Sequence, residues 1–342
     1  FLILLATISF SSNLNTASLK IQTMLSLVVF PLMFSLFNNN DKQILLNFTF
    51  KYLWIYIIGV FLYNTITFLW FYSTIPNYSF LGMSYHLKNF INHNIGKYGI
   101  HPIYMSMHCC IAIIFSLKLF FTLKKRYIKV ILLILNLILF FFLLIYARKG
   151  PIIAFIITLI TWSYLDHKKH LKYNLLFVLG LTILFLMIPT TRNRFLELTK
   201  IEKAVDNSSS SNIRYIIYSN SLTLIKEAPF LGYGIGDYEQ ELRKTYSKNA
   251  PFLLDGVYNS HNQYLSFILI GGILLFLAFL VYYTKNFIIA IQAKNTLLIL
   301  IMVFYGVMMV FENILERENG VIFFSFFINF FAIKNYINFE KE

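Results

Sequence analysis

The sequence predicts an all-α protein, a polytopic bundle of about nine to ten transmembrane helices with one long loop that carries short helices. Three observations lead to this fold class. Of the 342 residues, 58% are hydrophobic and only 13% are charged, whereas soluble domains average about 45–50% apolar and about 25% charged residues. The apolar residues form runs long enough to cross a bilayer as helices. Basic residues flank these runs, as is typical of membrane proteins.

The same composition excludes several other classes of protein. A soluble fold with 37 Phe and 23 Tyr would expose large apolar patches, and disordered chains have low hydrophobicity. The net charge of +14 does not indicate nucleic-acid binding, because the basic residues are not gathered into one patch. Cys109 and Cys110 are the only cysteines and lie in an apolar run, which excludes a disulfide framework and a Cys-based zinc site.

The first apolar run, Phe1–Phe10, would cover only about 15 Å as a helix, so we expect it to be the end of a truncated helix. Nine longer runs approach or exceed the length that crosses a bilayer. These predicted spans are Ile21–Phe37, Phe50–Tyr72, Pro102–Phe121, Val130–Ala147, Pro151–Leu165, Tyr173–Ile188, Asn262–Tyr283, Thr296–Phe311 and Val321–Ile333.

The distribution of Lys and Arg predicts the orientation of the bundle. With successive loops assigned to alternate sides, one side holds fourteen basic residues and the short loops of the other side hold six. Basic residues in short loops resist translocation, so the first side should face the cytoplasm. The predicted organisation is N-terminal transmembrane helices in residues 1–188, a long outer loop in residues 189–260, and C-terminal transmembrane helices in residues 261–342.

The long outer loop is the one soluble-looking segment, with nine basic and eight acidic residues. We expect Asn212 to cap an amphipathic helix that ends at Pro229 and carries Arg214 in its first turn. A second, polar helix is predicted around Tyr238–Tyr246. The loop is therefore the predicted working part of the molecule.

His261 and Asn262 follow at the boundary between this loop and the next span. Asn259 or Ser260 is expected to cap a helix that carries both residues into the membrane. A capping or solvated role would suit His261, but a histidine at such a boundary can also exchange protons with a substrate. The second interpretation is favoured by the arginines predicted on the same side, which are Arg148, Arg192, Arg194 and Arg214.

Gly232, Gly234 and Gly236 alternate in the sequence PFLGYGIGDY. Since this run is not the G-x-G-x-x-G fingerprint, the first interpretation is a turn that needs positive φ. Three alternating glycines also fix a backbone path, whose amides could face an anion.

Two predicted outer hairpins carry charges. Arg148 and Lys149, in YARKGPIIAF, could reach up to the lipid headgroups, or the guanidinium could bind phosphate in a bidentate manner. Glu312 and Arg317, in FENILEREN, form either a solvated turn or partners for the arginines. Three histidines with no metal-ligand spacing are expected to be structural, namely His86, His93 and His101.

Three stretches of the sequence, in this order, resemble the O-antigen ligase family, which also contains O-antigen polymerases. They read RYIIYSNSLTLIKEAPFLGYGIGDY, HNQYLSFILIGGILLF and ENILERENGVIFF. The likeness extends from Arg148 to the C-terminus. It implies a GT-C-like glycosyltransferase of the bacterial inner membrane, with its active site facing the periplasm.

The resemblance also implies the substrates. The donor would be a glycan on undecaprenyl diphosphate, and the acceptor a sugar hydroxyl of lipid A-core or of another glycan. Transfer would invert the anomeric centre and use neither a metal nor a cofactor. Membrane lipids would be further partners, and nucleic acid would not.

Carried onto this sequence, the family's motif residues are Arg148, Arg214 and His261 as catalytic residues. Fixed guanidinium groups could stabilise the departing diphosphate, and an imidazole could remove the proton of the acceptor hydroxyl. Further expected substrate contacts are Lys149, Arg192, Arg194, Tyr215, Glu227, Gly232, Gly234, Gly236, Asn262, Glu312 and Arg317. Lys149 departs from the family, which more often has a small residue after the arginine.

Two other functions stay open at this point. A polymerase would use the same donor but extend another lipid-linked chain. A transporter or flippase would move the glycolipid without chemistry, and it predicts buried charges within spans or broken helices near the midplane. We expect such features to be largely absent from this chain.

Overall fold

The computed structural model describes residues 1–74, 82–94, 99–165, 210–256 and 258–339, together with Gly180, Arg192 and Leu196. Every regular element in these described residues is a helix, as the composition predicts. The chain divides into two compact units. One unit comprises residues 39–195, and the other comprises residues 1–38 and 196–342.

In chain order the described α-helices are α1 (Leu2–Ala6), α2 (Leu14–Met24), α3 (Ser26–Ser35), α4 (Asn39–Asn47), α5 (Thr49–Thr74), α6 (Met83–His93), α7 (Pro102–Thr122), α8 (Arg126–Tyr146), α9 (Lys149–Leu165), α10 (Ser210–Glu227), α11 (Tyr238–Asn249), α12 (Gln263–Gln292), α13 (Thr296–Phe311) and α14 (Glu318–Phe339). Short 3-10 helices cover Thr7–Phe10, Pro251–Asp255 and Ile314–Glu316.

Five stretches of the described residues are long and apolar enough to cross a membrane. They are Leu14–Ser35, which joins α2 to α3, and the helices α5, α7, α8 and α12. Helices α9 and α13 are apolar but shorter. The predicted span Tyr173–Ile188 lies outside the described residues. The predicted count of nine to ten spans is therefore not confirmed.

Helix α7 is the centre of the unit formed by residues 39–195. It packs against α5, α8 and α9, and its residues 102–116 are all buried. Pro102 at its first turn has the backbone angle that a helix start needs, and the side chain of His101 accepts a hydrogen bond from the Ile103 amide at 3.3 Å. His101 therefore caps a helix, which is the structural role expected of it.

In the other unit the first helices pack against the last ones. The rings of Phe30 on α3 and Phe326 on α14 meet edge to face, with centroids 5.4 Å apart. The hydroxyl of Ser325 donates to the Ser26 carbonyl at 2.6 Å. The N-terminal 38 residues are thus part of the same core as the C-terminal helices.

Helix α12 is broken near its start. Gly271 and Gly272 have non-helical φ/ψ values of −133°/21° and 65°/−167°. A side chain at Gly272 would be strained by the positive φ and would collide with the Phe230 carbonyl. We expected broken helices to be largely absent, so this break corrects the prediction. The paired glycines in ILIGGIL are the sequence signal for it.

Candidate active site

His261 lies immediately before α12 in a constrained backbone conformation. Its φ is +44°, an uncommon value for a residue with a side chain, and its amide donates to Oδ1 of Asn259 at 3.0 Å. The N-cap of α12 is Asn262, whose Oδ1 accepts from the amides of Tyr264 at 2.9 Å and Leu265 at 3.2 Å. The predicted cap at Asn259 or Ser260 is therefore wrong, and the helix carries neither His261 nor Asn262.

The imidazole of His261 is paired with the carboxylate of Glu312. Their Nδ1 and Oε2 atoms are 3.3 Å apart, and the side chains are 24% and 10% exposed. Glu312 is held where α13 ends, and its Oε1 accepts from the Asn313 amide at 3.3 Å. We expected Glu312 to form a solvated turn or to partner the arginines. Its carboxylate contacts the histidine, 51 residues earlier in the chain.

Tyr218 on α10 completes this cluster and was not predicted from the sequence. Its hydroxyl lies 3.1 Å from the His261 carbonyl and 2.8 Å from the Val310 carbonyl, so it connects the backbone on both sides of the site. Arg214 lies one helical turn earlier on the same face of α10, half-buried. The spacing of Arg214 and Tyr218 in RYIIY is the signal that could have identified the tyrosine.

The electrostatics of Tyr218 show which charges surround it. Burial raises the pKa of its hydroxyl, and the negative charge of Glu312 adds to this effect. The positive charge of Arg214 and a hydrogen bond with the Asn262 side chain act in the opposite direction. Arg214, Asn262 and Glu312 are therefore all near the Tyr218 hydroxyl, which keeps its proton at neutral pH.

Helix α10 begins earlier than predicted. It starts at Ser210, so Asn212 lies within its first turn and is buried, not the N-cap that we expected. The helix ends at Glu227, close to the predicted end at Pro229. The register of Arg214 is therefore set by a helix whose first described residue is Ser210.

A network of hydrogen bonds joins the loop that contains His261 to the loop that follows α13. The hydroxyl of Ser260 donates to Oδ1 of Asn313 at 3.1 Å, and Nδ2 of Asn313 donates to Oε1 of Glu316 at 2.9 Å. Gln263 joins the same network, because its Oε1 accepts from the Leu315 amide at 2.8 Å. The loop before α12 is thereby tied to the loop after α13.

Glu316 is the buried anchor of this network. Its side chain is only 3% exposed, and Nζ of Lys20 lies 3.6 Å from its Oε2. The hydroxyls of Tyr238 and Ser266 also donate to its carboxylate. Burial raises the pKa of Tyr238, and the negative charges of Glu316 and Glu239 raise it further, so the phenol remains a donor. Glu316 therefore joins α2, α11 and α12 and is fully engaged within the protein.

The alternating glycines pack against protein rather than around an open site. Gly232 and Gly234 have φ values of +66° and +82°, which confirms the turn interpretation. The amide of Gly234 donates to the Ile270 carbonyl at 2.9 Å, and that of Gly232 to the Ala228 carbonyl at 3.2 Å. The Gly236 amide donates to the hydroxyl of Ser11 at 3.1 Å. Because these amides have protein acceptors, the proposed anion-facing path is wrong.

The remaining predicted residues divide into two groups. In the unit of residues 39–195, Arg148 lies between α8 and α9 and is half-buried, and Lys149 begins α9 and is buried. Four of the others are exposed, namely Tyr215, Arg192, Glu227 and Arg317. Arg194 lies outside the described residues. The structure brings Arg214, His261, Asn262 and Glu312 together, whereas the substrate contacts of the other residues remain predictions.

Within the described residues, no group of three or more His, Cys, Asp and Glu side chains could hold a metal ion. His261 and Glu312 form only a pair, and the described partners of Glu316 are donors. The chemistry that this cluster offers is proton transfer by an oriented imidazole, with a guanidinium nearby.

A known protein family matches the part of the chain that contains Arg214, Tyr218 and His261. Residues 134–280 match the O-antigen ligase family. This match confirms the predicted resemblance and includes Arg148, Arg214 and His261, whereas Glu312 lies beyond it. The match implies a membrane enzyme of the O-antigen ligase or polymerase type. No curated protein matches the chain.

Proposed function

We propose that this protein is a membrane glycosyltransferase that moves a glycan from undecaprenyl diphosphate to a sugar hydroxyl at the periplasmic face of the bacterial inner membrane. The acceptor is the sugar of a lipid A-core, so the reaction is O-antigen ligation. The observation that carries this proposal is the pairing of His261 with Glu312 beside Tyr218 and Arg214, within a segment of O-antigen ligase type.

In this proposal His261 is the general base. With its proton on Nδ1 donated to Glu312, the Nε2 atom has a lone pair available for the acceptor hydroxyl. The hydroxyl oxygen forms a bond to the anomeric carbon while the bond from that carbon to the diphosphate oxygen breaks. The hydroxyl proton moves to Nε2, and the anomeric centre inverts. Glu312 then stabilises the imidazolium, as an orienting carboxylate does in other base-assisted transfers.

The leaving diphosphate gains negative charge as the bond breaks, and fixed positive groups lower the energy of that state. Arg214 is proposed for this role because its guanidinium is half-buried and close to the Tyr218 hydroxyl. Arg148 is proposed as the second cation, on the resemblance of its hairpin to the family motif. An arginine binds phosphate oxygens in pairs, which a lysine cannot do.

An apolar cavity of about 450 Å³ in the same unit offers space for part of a polyprenyl chain. Residues of α1, α3, α12 and α14 line it, among them Phe267, Asn286 and Asn329, together with Leu315. Leu315 adjoins Glu316, so the cavity starts close to the network that supports His261.

The test is transfer by the full chain in liposomes, with an undecaprenyl-diphosphate-linked glycan as donor and a lipid A-core acceptor. His261→Ala should lower the rate by about 100- to 10,000-fold, the usual contribution of a general base. His86→Ala, which changes an exposed histidine of α6, is the matched control and should retain the wild-type rate. Near-normal transfer by the His261 variant would reject the proposal.

The same assay separates the alternatives. A polymerase would lengthen a lipid-linked glycan when that glycan is the only acceptor offered. A transporter or flippase would carry labelled glycolipid across the bilayer without forming a new glycosidic bond, and His261→Ala would leave this movement unchanged. Activity that disappears with a chelator would contradict the metal-free step.

A further inference from the structure

Asn313 is a buried residue between two acidic residues of the loop that follows α13. It is 0% exposed. Glu312 precedes it directly, and Glu316 lies three residues later. Its backbone amide donates to Oε1 of Glu312 at 3.3 Å, and its side-chain Nδ2 donates to Oε1 of Glu316 at 2.9 Å. Asn313 therefore donates a hydrogen bond to each of these carboxylates.

The carboxylate of Glu316 fixes the orientation of the Asn313 side-chain amide. An ionised carboxylate accepts hydrogen bonds and does not donate them, so the NH2 end of the amide faces Glu316 and Oδ1 faces the opposite way. There Oδ1 accepts from the hydroxyl of Ser260 at 3.1 Å. Ser260 is also 0% exposed and immediately precedes His261. The Asn313 side chain thus reaches from the loop after α13 to the residue before the histidine.

Both members of the pair of His261 and Glu312 are therefore held by Asn313. The Asn313 amide occupies Oε1 of Glu312, while Oε2 of the same carboxylate lies 3.3 Å from Nδ1 of His261. The bond from Ser260 holds the chain next to the point where His261 has a φ of +44°. A backbone conformation of this kind persists only where the surrounding contacts enforce it.

The contact with Glu312 decides which nitrogen of His261 carries the proton. In the described part of the chain, Glu312 is the polar partner of the ring nitrogens. The other titratable side chains nearby are placed differently. Tyr218 and Arg214 come from α10, and the hydroxyl of Tyr218 binds the backbone carbonyl of His261 rather than its ring. Tyr258 meets the imidazole edge to face, with ring centroids 6.1 Å apart.

We propose that Asn313 is a positioning residue, which sets the geometry of the pair of His261 and Glu312 and thereby keeps the imidazole proton on Nδ1. The hydrogen bond made by one ring nitrogen selects the tautomer of a histidine, and the pair is made only while both loops stay in register. The effect of Asn313 on catalysis rests on the proposed function, in which Nε2 receives the proton of the acceptor hydroxyl. Its effect on the tautomer does not.

The test measures the tautomer of His261 by solid-state NMR of the full chain with 15N-labelled histidine, in liposomes of phosphatidylethanolamine and phosphatidylglycerol at mildly alkaline pH. Protonated and unprotonated ring nitrogens have different 15N shifts. Subtracting the spectrum of His261→Gln isolates the signals of this residue among the seven histidines of the chain. No substrate is needed, so the result does not depend on glycosyl transfer.

The wild-type chain should show one tautomer, with the proton on Nδ1, and Asn313→Ala should show a mixture of two. The matched control is Asn295→Ala, which removes an asparagine that is 3% exposed at the other end of α13. Nδ2 of Asn295 donates to the Phe331 carbonyl at 2.7 Å and to Oδ1 of Asn335 at 2.8 Å. The control variant loses comparable hydrogen bonds and should keep the wild-type tautomer.

The same liposomes are then assayed for transfer. Asn313→Ala should lower kcat by about 10- to 100-fold, as small displacements of catalytic groups do, and leave the KM for the donor nearly unchanged. A single Nδ1 tautomer in Asn313→Ala would overturn the inference, whatever the rate. A mixture of tautomers with a wild-type rate would support the positioning of the pair and reject His261 as the base, which is a failure of the proposed function alone.

A second variant removes the same bond from the other side. Ser260→Ala deletes the hydroxyl that donates to Oδ1 of Asn313, and it replaces the assay if Asn313→Ala does not fold. It should give the same mixture of tautomers, because His261 is then no longer tied to the loop of Glu312 through Asn313. A single Nδ1 tautomer in Ser260→Ala would overturn the inference.

Discussion

His261 and Glu312 come together at 3.3 Å although 51 residues separate them in the chain. His261 lies just before the start of α12, and Glu312 lies just after the end of α13. The hairpin of these two helices therefore places a carboxylate against an imidazole at its open end.

Glu312→Gln should lower the rate of glycosyl transfer and leave the apparent affinity for the donor nearly unchanged. Hydrogen bonds to charged groups contribute about 1.5–3 kcal/mol, so we expect a fall of about 10- to 150-fold. Glu312→Asp keeps the charge with a shorter reach and should lie between the variant and the wild type. An unchanged rate in Glu312→Gln would show that the pair is structural.

Tyr218→Phe should lower kcat/KM by about 2- to 12-fold, because one neutral hydrogen bond contributes about 0.5–1.5 kcal/mol. Tyr85→Phe, at an exposed position of α6, should behave as wild type. Burial raises the pKa of Tyr218, so the hydroxyl stays protonated below its ordinary pKa of about 10. The ratio of wild-type to Tyr218→Phe rates should therefore be constant from about pH 6 to pH 9.

Arg214→Lys should lose about 3 kcal/mol of transition-state stabilisation, or about a hundredfold in rate, if the guanidinium meets the leaving diphosphate. The matched control is Arg243→Lys on α11, whose guanidinium donates to the Gly256 and Leu254 carbonyls at 3.4 Å. We expect this control to transfer glycan at the wild-type rate. Equal rates in the two variants would remove Arg214 from the mechanism.

Glu316→Gln should destabilise the protein strongly. Lys20 keeps its closer partner Glu239 at 2.9 Å, so the loss comes from the hydrogen bonds to the Glu316 carboxylate, which is only 3% exposed; hydrogen bonds to charged groups contribute about 1.5–3 kcal/mol each. Glu241→Gln breaks the more exposed pair with Lys244 and should cost at most about 1 kcal/mol. Unfolding by dodecyl sulfate in mixed micelles compares the two, and similar losses would contradict the anchoring role of Glu316.

Gly272→Ala should weaken the seating of the loop of residues 229–234 on α12. A left-handed backbone alone costs alanine about 1–2 kcal/mol, and the added Cβ meets the Phe230 carbonyl. Gly59→Ala, inside α5 with open space around it, should be neutral or stabilise by up to about 1 kcal/mol. A midpoint of thermal unfolding equal to that of wild type in both variants would mean that the loop can shift to accept the methyl group.

Hydropathy placed two of the apolar helices to within one residue. Thr296–Phe311 has the predicted bounds of α13 and α7 differs from its predicted span by one residue, because burial in lipid requires long uninterrupted apolar runs. The structure places Arg214 and His261 in one cluster around Tyr218, and their catalytic roles stay predictions.

What the sequence did not reveal depends on pairings between distant elements. The contact of Glu312 with His261 is set by the packing of α12 against α13, and the acceptor of the Gly234 amide is available only because α12 is broken. The predicted N-cap at Asn212 is wrong because the helix extends two residues further towards the N-terminus, to Ser210. Tyr218 was not predicted because its hydroxyl contacts two backbone carbonyls that are 43 and 92 residues away in the chain.

The ion pair between Lys20 and Glu316 has a consequence for biogenesis. About 300 residues lie between its two members, and ribosomes add about 5–20 residues per second. Lys20 is also paired with Glu239, at 2.9 Å. The first helices of this unit must therefore wait about 10–45 s in the bilayer for the first of the two carboxylates and about 15–60 s for Glu316. During that interval the cation needs a temporary partner, such as water, an anionic headgroup or the insertion machinery.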